Sequence, residues 1–161
     1  MKTIVLKFIL WTAVILWMVL IFCLSAQTAS QSSSLSGQTI RKIVEVILPK
    51  SHNLSQVKKD KLIFDLQYIT RKTAHVLAYM VLGVLCMTAL LQLSLRMEMR
   101  FSIALIICTC YAVSDEFHQL FVSGRGPQIR DVFIDFCGAL LGILLMMLIY
   151  WIWNRKGLKS L

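Results

Sequence analysis

Residues 101–131 read FSIALIICTCYAVSDEFHQLFVSGRGPQIRD, and they change character halfway. The first half is apolar enough to lie in lipid. Then Ser114, Asp115, Glu116, His118 and Gln119 crowd into six positions. An ionisable group held inside a membrane span costs about 2.5–3.5 kcal/mol on insertion scales, so several together need partners. Whether the chain supplies those partners decides how the stretch is read.

Working outward, three more apolar runs occur. With 101–121, residues 4–24, 73–95 and 131–153 are each long enough to cross about 30 Å of hydrocarbon at 1.5 Å rise per residue. The 161-residue chain is 58% hydrophobic, has a mean hydropathy of +0.73 and carries only 16% charged residues. A soluble domain normally carries about 25%. The expected fold is therefore an all-α integral membrane protein, with four transmembrane helices in an up-and-down bundle forming a single domain over 1–161. A cleaved signal peptide is a poorer reading of the first run. Phe8 to Leu24 exceeds the usual apolar core of about 7–15 residues, which favours a retained anchor.

The segment between the first two spans, 38–70, is expected to be helical but outside the membrane. Ile40, Ile43, Val44, Ile47 and Leu48 recur at i, i+3, i+4, i+7 and i+8, one face of an amphipathic helix closed by Pro49. Such a helix lies in the interface or covers the mouth of the bundle. A second polar helix starts near Ser55 and runs on into the second span.

The net charge of +9 does not point to nucleic acid. The basic residues flank the spans, where they set orientation or meet anionic lipid. Lys2, Lys7, Arg96, Arg100, Arg155, Lys156 and Lys159 fall on one side, and no charge occurs between Lys7 and Arg41. The loop 25–72 holds eight basic residues and argues the other way. Weighting the flanks of the first span gives N-in, C-in, with the polar cluster on the extracytoplasmic side. The five cysteines all lie in apolar runs with no CxxC, and read as small buried hydrophobes rather than a disulfide framework or zinc site.

Independent of orientation, the intramembrane polar residues gather at one face of the bilayer. On the second span Arg71, His75 and Tyr79 share a stripe, with Lys72 beside it. On the third, Tyr111, Ser114, Asp115, His118 and Gln119 form another, with Glu116 about 100° round from Asp115. On the fourth, Asp131, Asp135, Gly138 and Gly142 run i, i+4, i+7, i+11, and GALLG is a small-xxx-small packing pattern. Arg125, between two glycines, is free to fold back over the cluster. Arg71, Lys72, Arg125 and Arg130 are thus expected to face Asp115, Glu116, Asp131 and Asp135, with two histidines between. No cofactor is expected, and a metal is disfavoured by four nearby cations.

These elements resemble the VanZ family of small bacterial membrane proteins, named for a protein associated with low-level teicoplanin resistance. RKTAHVLAYMVLG (71–83) is similar to the family's Arg-Lys-x-Ala-His…Tyr element. SDEFHQLFVSGRGPQIRDVFIDFCGALLG (114–142) is similar to its Asp-Glu-x-His-Gln, Gly-Arg and Asp-x-x-x-Asp…Gly elements, in order. FCLSAQTASQSSSLS resembles its polar segment after the first span, with Thr28 where proline is common. The resemblance implies a multi-pass protein of the bacterial inner membrane and cell envelope, with Arg71, Lys72, His75, Asp115, Glu116, His118, Gln119, Arg125, Asp131 and Asp135 as the matching polar positions.

Three functions compete. A binding module would hold an anionic membrane-lipid headgroup or a lipid-linked envelope intermediate, with Arg71, Lys72 and Arg125 gripping phosphate and Gln119, Asp131 and Asp135 completing the site. A membrane enzyme would use His75 or His118 with Asp115, Glu116 or Asp131 for acid–base chemistry on such a lipid. A small transporter is the third. Four helices are few for alternating access and MVLGVLCMTALL offers no polar path, although a homo-oligomer would reopen that reading.

Overall fold

The computed structural model describes residues 2–27, 55–123 and 129–157. Four helices occupy them: α1 (Lys2–Ser25), α2 (Gln56–Leu91), α3 (Met97–Gln119) and α4 (Ile129–Gly157). No strand occurs among the described residues. All four helices are long and apolar enough to cross a membrane. The amphipathic stretch 40–48 and Arg125 lie outside the described residues.

α2 is the longest helix. Its 36 residues span about 54 Å at 1.5 Å per residue, well beyond the hydrocarbon thickness of about 30 Å. Its first turns carry Lys58, Lys59, Asp60, Lys61 and Asp65, so they extend past the bilayer and the helix enters lipid without a break. The expected second polar helix and second span are one element. α2 stops at Leu91, short of residue 95, where Gln92 caps it by donating its backbone N–H to the carbonyls of Ala89 and Leu90. Arg100 closes the same turn, one guanidinium nitrogen donating to the Leu93 carbonyl at 2.7 Å.

The most extensive packing in the bundle is between α2 and α4. Glycine explains it. A Cβ at Gly138 would collide with the Val76 carbonyl, one at Gly142 with the Met80 carbonyl, and one at Gly83 with the Ala139 carbonyl. Each obstacle is backbone, which cannot move aside as a side chain does. Small residues let two helices approach this closely, and in lipid close packing replaces the hydrophobic driving force available in water.

α1 sits against α2 and α3. Two hydrogen bonds to main-chain carbonyls tie it there: Trp17 Nε1 donates to Ala78 at 2.9 Å, and the Tyr111 hydroxyl donates to Met18. The core runs along the middle of the bundle through Val14, Tyr79, Leu82, Met87, Ala104, Cys108 and Ile143. Large apolar residues such as Phe8, Leu77, Ile106 and Leu141 point outward, as lipid-facing side chains must. Of the cysteines, Cys86 and Cys108 are buried in that core, Cys137 is half-buried, and Cys23 and Cys110 face outward.

Candidate functional site

The polar residues lie toward one end of the bundle, where α1 and α3 finish and α4 begins. α2 passes that end before its first charged turns leave the membrane. On the α2–α4 seam the acids meet α2 in register with the glycines. Lys72 pairs with Asp131, and His75 Nδ1 lies 3.2 Å from Asp135 Oδ1. Gly138 at Val76 and Gly142 at Met80 follow. The i, i+4 spacing of Asp131 and Asp135 and the i, i+3 spacing of Lys72 and His75 put both pairs on facing stripes. Asp135 is 1% exposed. When Asp135 is ionised its carboxylate only accepts, so the contact is then made by Nδ1–H and Nε2 is the imidazole's other nitrogen.

A second layer joins α3 to α1. Gln119 Nε2 donates to Ser25 Oγ at 2.9 Å and, more loosely, to Asp115 Oδ2 at 3.4 Å. Asp115, Glu116 and Gln119 are all buried. His118 packs at a tilt against Phe22, ring centroids 4.1 Å apart, and its Nε2 is buried without a hydrogen-bond partner among the described residues. Ser114 leaves the stripe assigned to it: its side chain is exposed, and its hydroxyl folds back onto the Tyr111 carbonyl at 2.7 Å. Arg130 is exposed at the start of α4.

Between α1 and α2 is a half-open cavity of about 250 Å³. Ile21 and Leu24 of α1 form its apolar wall; Arg71, His75 and Tyr79 of α2 and Asp115 of α3 supply its polar side. One feature departs from the expected pairing of cations with acids. Lys72 meets an acid, but the half-buried Arg71 makes no ion pair among the described residues. Two atoms of the lining residues are also orphaned. The Tyr79 hydroxyl and Asp115 Oδ1 are buried with no hydrogen-bond partner among the described residues. His118 is not part of the cavity lining. Among the described residues, no three His, Cys, Asp or Glu side chains gather as metal ligands.

Sequence reading gave α1 no part in the site, yet its last turn provides one wall and the Ser25 hydroxyl. The available signal was Ser25 and Gln27, uncharged polar residues directly after an apolar run. The fold and site together define a polytopic helical membrane protein with a largely apolar pocket that carries a few polar groups near one end of the bundle. The family profile described as VanZ/LLP1 matches residues 10–150, so the chain belongs to the VanZ/LLP1 family. No curated protein and no solved structure gave a match to it.

Proposed function

We propose that this protein is a bacterial cell-envelope membrane protein whose pocket binds the anionic headgroup of a membrane lipid or a lipid-linked envelope intermediate. A link to glycopeptide (teicoplanin) resistance is part of the proposal through the family alone, whose founding member is associated with it. One observation carries the reading: Arg71 borders the cavity without a carboxylate partner among the described residues. A guanidinium at the membrane boundary is stabilised by a phosphate, which it grips through paired hydrogen bonds. The apolar wall of Ile21 and Leu24 suits the first methylenes of an acyl or prenyl chain. Lys72, already paired with Asp131, is left out of the grip.

The test is lipid retention through purification. Arg71→Ala is expected to lose most of the phospholipid or polyprenyl phosphate that the wild type carries, measured by mass spectrometry of extracted lipid. Lys72→Ala is expected to keep it. Equal lipid content in wild type and Arg71→Ala sinks the reading.

The His75–Asp135 contact favours a second reading, acid–base chemistry on the bound lipid. An imidazole oriented by a buried carboxylate and bordering a cavity is equipped to pass a proton at Nε2. On that reading His75→Gln binds lipid normally but stops its conversion, followed as released alcohol or phosphate. Bound lipid recovered chemically unchanged from the wild-type protein would exclude it.

A further inference from the structure

Two cavity-lining side chains, Tyr79 at 0% and Asp115 at 2% exposure, each hold a buried polar atom with no partner among the described residues. They stand on different helices, α2 and α3, and border the same cavity. A buried polar group left without a partner is destabilising, and two in one pocket call for a common explanation. Asp115 Oδ2 already accepts from Gln119, so the unmet demand at Oδ1 is for a donor. The Tyr79 hydroxyl can donate and accept. A single hydroxyl group answers both, giving its hydrogen to the carboxylate and taking one from the phenol.

Resting on the lipid-binding reading above, we infer that the ligand is a phosphodiester lipid whose head alcohol carries a free hydroxyl, the phosphate held by Arg71 and the hydroxyl by Tyr79 and Asp115. A phosphate alone would satisfy Arg71 and leave both orphans buried. Glycerol and sugar headgroups meet the requirement; a bare polyprenyl phosphate does not.

The experiment compares two lipids of equal charge on the full chain in detergent. Phosphatidylglycerol and phosphatidylpropanol share a phosphodiester and a three-carbon head alcohol, and differ in the hydroxyls. A hydrogen bond to a charged group contributes about 1.5–3 kcal/mol, so phosphatidylglycerol should bind about tenfold tighter or more, read by thermal-shift titration. Tyr79→Phe and Asp115→Asn should each shrink that preference while Arg71→Ala weakens both lipids alike. Tyr79→Phe also removes a hydroxyl that has no partner among the described residues of the lipid-free protein. It is therefore expected to melt no lower than wild type without lipid, which separates lost binding from lost folding. If both lipids bind the wild type equally, the hydroxyl inference is wrong and phosphate binding stands. If Tyr79→Phe and Asp115→Asn both keep the full preference, the inference is wrong as to these residues. If neither lipid binds, the lipid-binding reading falls and takes this one with it.

Discussion

At the scale of single residues, the two adjacent cations on α2 have been given different work. Lys72 and Asp131 pair on the seam, with side chains 15% and 12% exposed, while its ammonium also lies 5.2 Å from the Tyr68 ring centroid. Arg71 faces the cavity. Adjacent residues on a helix differ by about 100° in direction, so a basic doublet cannot serve one partner equally. Removing one member of a buried pair strands the other charge, at a cost of about 3–5 kcal/mol where burial is complete. This pair is partly exposed, so Lys72→Ala should lower stability in detergent by about 1–3 kcal/mol, seen as a drop in the unfolding midpoint. Replacing both residues with apolar ones, Lys72→Met with Asp131→Leu, should recover most of that loss, because no charge is then left unpaired. Equal destabilisation by the single and double variants would mean that the pair itself is a net stabiliser. The residue types of this site were readable from the sequence; their partners were not. Periodicity gives direction around one helix but not the rotation of one helix against another, and that rotation is what gave Asp135 to His75 rather than to an arginine.

At the scale of elements, the α2–α4 seam holds the site in register. Asp131 and Asp135 sit on the stripe that continues into Gly138 and Gly142, and the close approach there sets how near α2 brings His75. Gly142→Val should be severe. Its side chain would enter the Met80 carbonyl, where overpacking of even a deformable core costs about 1–3 kcal/mol. The neighbouring Leu141 is 55% exposed, so Leu141→Ala should change the detergent melting temperature little. A Gly142→Val protein as stable as Leu141→Ala would show that the helices do not touch at this point. The GALLG pattern made this face legible in advance, and so did the four apolar runs. The continuity of α2 was legible too: the polar helix expected to start near Ser55 and run on into the second span is one helix, Gln56–Leu91. The part played by α1 was hidden: an apolar helix with two small polar residues at its end looks the same whether it lines a pocket or only anchors the chain.

At the scale of the whole molecule, polarity is segregated by end. The cavity, both α2–α4 pairs and the Ser25–Gln119 contact lie toward the end where α1 and α3 finish and α4 begins. The opposite end holds Arg96, Arg100 and Arg155, with Arg155 stacked 4.0 Å from the Trp151 ring centroid. Basic residues so close to the ends of spans favour the cytoplasmic side, whereas Trp marks either interface. Against it stand the basic residues of α2's first turns, Lys58, Lys59 and Lys61, which extend beyond the bilayer on the cavity side. Positive charges weigh most close to the ends of spans and within short loops, and the first helix usually dominates. On that weighting the prediction is that both termini are cytoplasmic and that the pocket is reached from the extracytoplasmic side. Ser123, exposed just after α3, reports on this directly. In a background with all five cysteines replaced, Ser123→Cys should react with a membrane-impermeant maleimide on intact cells. A cysteine placed at Arg96, in the turn between α2 and α3, should react only after lysis. The reverse pattern would put the pocket at the inner surface, where its ligand would have to be a lipid of the cytoplasmic leaflet.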